Sequence, residues 1–314
     1  MAAAFAITVR WVLVADLMLL FGVPLFAACT APGVAKTGRI LGFFVLATAG
    51  FGMLLSVLGI LILAASMSGT ALRDVDLASV TMVVTATAVG TAFLVRIGAL
   101  ATAFALGLQL RGARAIAPLV MPMGVIALGA IALGAIALGS LAWSGHGVMD
   151  DGLTGVVHLI ADIVHLLAAG IWVGALGSLL WRLLGADRDG AAAAHGALAG
   201  FATLGTASVA LVLVSGVINS WLLVGPGNLL SLGRSLYGQL LLIKLALFSG
   251  MLALAALNRF RLTPGLGAAT TPADVDSAIR RLRLSLMLET AAAMVILGLV
   301  AWLGTLEPPA SAIG

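Results

Sequence analysis

Eight stretches of this sequence run for about twenty residues or more with scarcely a charge, the length a helix needs to cross the hydrocarbon core of a bilayer. They fall at 5–28, 40–65, 90–110, 116–142, 153–181, 197–224, 236–257 and 284–305. None alternates apolar with polar residues, and open strands leave backbone groups unsatisfied in lipid, so strands are excluded as spanning elements. The expected fold is all-α: a polytopic membrane protein, a bundle of about eight transmembrane helices forming one integral-membrane domain over 1–314. Its N-terminal half, 1–140, holds spans one to four. The half 141–306 holds spans five to eight and the candidate metal site. Residues 74–90, with Asp74 and Asp76 ahead of an apolar run, fit either a short surface helix or the outer end of a long third span.

Composition closes the alternatives. Of 314 residues 62% are hydrophobic and 9% charged, against roughly 25% charged in soluble domains. So few charges can neither coat a globule of this size nor keep a chain disordered. A net charge of +4 is too small to suggest nucleic acid as a partner; the partner is the lipid bilayer. A single cysteine, Cys29, excludes an intramolecular disulfide.

The basic residues set the orientation. Loops after odd-numbered spans carry eleven: Lys36, Arg39, Arg111, Arg114, Arg182, Arg188, Arg259, Arg261, Arg280, Arg281 and Arg283. Loops after even-numbered spans carry two, Arg73 and Arg234. Positive charge stays on the cytoplasmic side, so the odd loops are expected inside and both termini outside, on the periplasmic face of a bacterial inner membrane. Arg10, an apolar run and Phe26-Ala27-Ala28-Cys29 resemble a lipoprotein signal. Asp16 interrupts that run, and cleavage would strand Lys36 and Arg39 outside, so span one is read as retained. Residues 125–139 repeat a five-residue unit ending in glycine, whose glycines spiral around the helix and carry no assigned chemistry.

Ionisable residues inside apolar spans are costly and mark function by default. They are Asp16, Arg96, His158, Asp162, His165, Lys244 and Glu289, with Arg10 near a span end where it can snorkel. The densest group is on span five. In His158-x3-Asp162-x2-His165 the side chains share an arc of about 60° on one helix face, and Trp172 continues the stripe. Two imidazoles and a carboxylate suit divalent first-row metals, with Asp162 either a ligand or the partner that holds a liganding imidazole. His146 lies in the preceding outer loop beside Met149, Asp150 and Asp151, a set suited to capturing an ion. The plainer alternative is that these groups hydrogen-bond neighbouring helices. Ser208, Ser215 and Asn219 form a polar stripe on span six; Tyr237 and Lys244 share a face of span seven; Glu289 is on span eight. Lys244 with Glu289, and Arg96 with Asp16, are possible ion pairs. Met67, Met149, Met121, Met123, Met287 and Met294 offer thioethers suited to Cu(I), though methionine also fills apolar helices, and Cys29 is read as apolar filling.

Certain segments look like a known family. His165-Leu-Leu-Ala-Ala-Gly-Ile-Trp172-Val-Gly174, Ser215-Gly-Val-Ile-Asn219-Ser-Trp221, Tyr237-Gly-Gln-Leu-Leu-Leu-Ile-Lys244, Asn258-Arg259, Pro264 and Glu289 resemble, in order and spacing, the copper resistance protein D family of CopD/PcoD/YebZ-like inner-membrane proteins. The similarity covers about 140–305, with Arg96 and the span count agreeing further upstream. The resemblance implies an eight-helix inner-membrane protein that handles a copper ion, of oxidation state left open, beside a periplasmic CopC-like copper-binding protein; no domain of that kind lies within 1–314. Ser144-Gly145-His146-Gly147 stands where the family has a Gly-His-Ala element.

The leading expectation is copper passage from the outer face to the cytoplasm, captured by His146 with Met149 and Asp150 and handed to His158, Asp162 and His165. Ser215, Asn219, Tyr237, Lys244 and Glu289 then line or shape the path. No phosphate-binding glycine loop or phosphorylated-Asp signature is present, so passage is expected to be passive or ion-coupled rather than enzymatic. Two alternatives stand beside it: a b-type haem oxidoreductase, disfavoured because His158 and His165 share one helix and cannot clamp one iron, and a non-transporting scaffold that docks a copper carrier.

Overall fold

A computed structural model describes residues 2–30, 34–112, 123–144, 152–184 and 188–310. Every regular element in them is helical. The long helices are α1 (Ala2–Thr30), α2 (Val34–Ser68), α4 (Ala88–Gly112), α6 (Gly152–Leu184), α7 (Arg188–Val224), α8 (Leu236–Leu257) and α10 (Pro272–Leu303). Between them lie α3 (Leu77–Ala86), α5 (Met123–Gly139) and α9 (Thr263–Ala268). Seven segments are long and apolar enough to cross a membrane, and they correspond to seven of the eight expected spans. The expected fourth span, 116–142, is met by α5, which is shorter and continues as a 3-10 helix over Ser140–Ser144. Together these rise about 35 Å, enough for a core of about 30 Å.

The stretch 74–90 is a separate short helix. Asp76 caps α3 by accepting a 2.8 Å hydrogen bond from the Ser79 amide, and those Ser79 interactions hold its carboxyl below the usual carboxylate range. Thr87 is extended (φ −125°, ψ 151°) and breaks α3 from α4. The last span also differs from its expected bounds. Arg280, Arg281 and Arg283 end the apolar run but not the helix, because Thr271 caps α10 and Pro272 starts it twelve residues before 284. Likewise α8 runs on through a π-helical turn at Asn258–Leu262 into α9.

The bundle is organised around α1, which packs on α2, α5, α6 and α10. Leu17, Leu20, Leu100 and Leu138 lock it to the N-terminal half, while Phe26 joins Trp172, Leu183, Leu282 and Leu286 in the C-terminal half. In lipid, close backbone approach replaces the hydrophobic drive between helices. Gly22 of α1 abuts Gly170 and Gly174 of α6 so closely that a Cβ at Gly22 or Gly174 would overlap the other helix's backbone. The α5 repeat is also used for packing: a Cβ at Gly129 would meet Leu106 of α4, one at Gly134 the Phe21 backbone of α1, and one at Gly139 Ile163 of α6. Outward faces carry exposed Leu54, Leu128, Ile160 and Val217, as a lipid-facing surface requires.

Candidate functional site

The helices enclose a cavity of about 520 Å³. It reaches the end of the bundle where α1 begins and α10 ends, since Ala6, Ser66 and Thr305 line it. Most polar residues singled out in the sequence converge on it: His158, Asp162 and His165 from α6, Asn219 from α7, Tyr237 and Lys244 from α8, and Arg96 from α4. Two that the sequence did not assign join them. Arg10 does not simply snorkel to the surface; its Nη1 donates to the Gly304 carbonyl at 3.1 Å and the side chain lines the cavity. Met18 brings a thioether to the wall, one α1 turn deeper than Val14.

Residues on α6 and α7 meet in two polar rungs. The Asn219 side-chain amide donates to Asp162 Oδ1 at 2.6 Å, and His165 Nδ1 meets Ser215 Oγ at 3.0 Å. The Ser215 hydroxyl spends its one proton on the Leu211 carbonyl at 2.5 Å, so toward His165 it accepts. In that arrangement Nδ1 carries the proton and the ring is held against α7. Gly216 makes room for that ring: a Cβ there would stand 3.3 Å from Cε1. His158, with 1% of its surface exposed, lies seven residues back on the same helix, about 10 Å away along the axis. The two imidazoles therefore sit at successive depths of one cavity. Among the described residues no three His, Cys, Asp or Glu groups gather as a single metal cluster. Asp162 acts electrostatically on both sides, toward His158 and toward Lys244 and Arg10.

Neither ion pair considered from the sequence forms among the described residues. Arg96 donates through Nε to Ser140 Oγ at 2.9 Å instead of meeting Asp16. Asp16 is buried against α2, where Gly52 leaves the space its carboxylate fills, and its Oδ2 has no hydrogen-bond partner. Lys244 makes no ion pair with Glu289. Glu289 is deeply buried and accepts from the Asn258 side-chain amide, with Trp172 in hydrogen-bonding range of the same carboxylate. Trp172 thus leaves the cavity stripe; it is buried edge-on against Phe248, with ring centroids 5.8 Å apart. Asn258 opens the π-helical turn, a distortion that often accompanies function. Ser208 only bonds back to the Gly205 carbonyl. His146, Met149, Asp150 and Asp151 lie outside the described residues, as does the side chain of His195.

Comparison with known proteins finds two family models. One described as Copper resistance protein D matches residues 195–303, and one described as Copper resistance protein D-like, N-terminal domain, matches 1–156. Over 310 residues, 96% of each chain, the sequence is 39% identical to Copper resistance protein D of Pseudomonas syringae pv. tomato. It is 33% identical over 165 residues to Inner membrane protein YebZ of Escherichia coli (strain K12), covering 52% of this chain and 54% of that one. It is 32% identical over 118 residues to Copper transport protein CutJ of Bacillus subtilis (strain 168), covering 37% of this chain and 21% of that one. No solved structure matches the chain.

Proposed function

The chain belongs to the copper resistance protein D family, and from that premise we propose that it is a multi-pass inner-membrane protein that admits copper from the periplasm through the cavity on α6. One observation carries the reading: the buried imidazole of His158, the half-buried one of His165 and the Asp162 carboxylate, at successive depths, line a cavity that reaches one end of the bundle. The open end is poor in basic residues. The opposite end carries Arg39, Arg182, Arg259, Arg280, Arg281 and Arg283, so charge asymmetry turns the cavity mouth to the periplasm.

In this reading copper is cargo. His146, Met149 and Asp150, in the connection just before α6, receive it at the mouth, where a CopC-like periplasmic copper-binding protein delivers it. His158 takes it next and His165, through Nε2, takes it deeper, with Asp162 offsetting the charge between them. Stations spaced along a helix suit transfer better than a closed chelate, because an ion must leave each site as readily as it enters. Met18 offers a soft donor at the same wall. Glu289, Asn258 and Trp172 then form the polar group nearer the cytoplasmic end.

The test is copper influx into proteoliposomes of uniform protein content. The wild-type protein accumulates copper, and the His158→Ala/His165→Ala variant does not. Equal influx would remove α6 from the path.

A further inference from the structure

The cavity carries a charge that a metal ion makes worse. Three basic side chains line it, Arg10, Arg96 and Lys244, and among the described residues Asp162 is its one carboxylate. One carboxylate does not balance three basic side chains. Arg10 bonds a backbone carbonyl, Arg96 a serine hydroxyl, and Lys244 has no hydrogen-bond or ion-pair partner among the described residues. Arg10 and Arg96 also act on one another as like charges. Asp162 acts on Lys244 and Arg10, but its Oδ1 is already held by Asn219. Arg96 is buried, and an excess of positive charge beside it is unfavourable without a further counter-charge, which arginine cannot escape by shedding its proton.

We infer that the cavity binds a small carboxylate anion, held by Lys244, Arg96 and Arg10. Guanidinium forks and an ammonium are the donors that recognise oxyanions, and each has hydrogens left over after its protein bonds. The Tyr237 hydroxyl lines the same wall and adds a neutral donor. The volume fits too. A bare metal ion needs little of 520 Å³, while cavities of roughly 300–1,000 Å³ ordinarily hold small organic ligands. A multidentate carboxylate would bring a chelated metal to His158 and His165 with its charge already offset. That last step rests on the function proposed above; the anion site does not.

The experiment is isothermal titration of the purified, metal-free protein with sodium citrate, sodium phosphate and sodium chloride. Saturable citrate binding is expected, tighter than chloride. Lys244→Gln removes one charge-assisted donor and breaks no protein hydrogen bond, so citrate affinity should fall about tenfold. Asp162→Asn removes the one opposing charge and should tighten citrate binding, an effect that loss of structure does not produce. Absence of saturable citrate binding, unchanged affinity in Lys244→Gln, or weaker binding in Asp162→Asn would each overturn the proposal. His158→Ala/His165→Ala keeps citrate binding while losing copper, so failure of the copper reading is distinguishable from failure of this one.

Discussion

Asn219 of α7 donates a 2.6 Å hydrogen bond to Asp162 of α6, one helical turn from the contact between Ser215 and His165. The antiparallel helices are thereby fixed in register by residues that line or adjoin the cavity. The interhelical polar contacts considered from the sequence do form, and they orient His165 and Asp162.

Replacing Asn219 by leucine removes the rung and leaves Asp162 Oδ1 without its donor. Membrane interhelical hydrogen bonds contribute about 0.6 to 2 kcal/mol. Thermal unfolding in detergent should show a loss of that size, with copper affinity reduced as well.

Ser215→Ala acts at one remove from the proposed copper path. It takes away the Ser215 oxygen that meets His165 Nδ1 and loosens the hold on the ring. Groups that hold a metal-binding imidazole in this way typically contribute about 10–100-fold in affinity. Copper titration should show a loss in that range while the unfolding midpoint hardly moves.

The sequence revealed the helices because hydrocarbon demands long apolar runs, and it revealed the α6 face because a helix fixes the angular spacing of His158, Asp162 and His165. Ends were less legible. Capping by Thr271 carries α10 past the charges at 280–283, which hydropathy alone reads as a stop. Partners were the least legible. Arg96 finds Ser140 and Glu289 finds Asn258, pairs 44 and 31 residues apart, and helix rotation decides those contacts. Arg10 looked like a snorkelling end residue because its acceptor, the Gly304 carbonyl, lies 294 residues away.

Glu289 gives a chemical test of the inner polar group. Glu289→Gln keeps an oxygen for Asn258 and should fold as the wild type does. Glu289→Leu strands the buried Asn258 amide, a loss of about 1–3 kcal/mol, read as a lower unfolding midpoint.

Gly174→Val tests the α1–α6 contact. Its Cβ would run into the Gly22 backbone, which no rotamer change relieves. Overpacking of this kind costs about 1–3 kcal/mol or more. The variant should lose thermal stability, and its cavity should lose copper binding in proportion.

The most direct measurement is equilibrium copper binding to the purified protein, wild type against His158→Ala/His165→Ala, with folding checked by the unfolding midpoint. Saturable copper binding in the wild type, lost from a folded double variant, is the predicted result. The same stoichiometry and affinity in both proteins would contradict the assignment of the α6 histidines to copper.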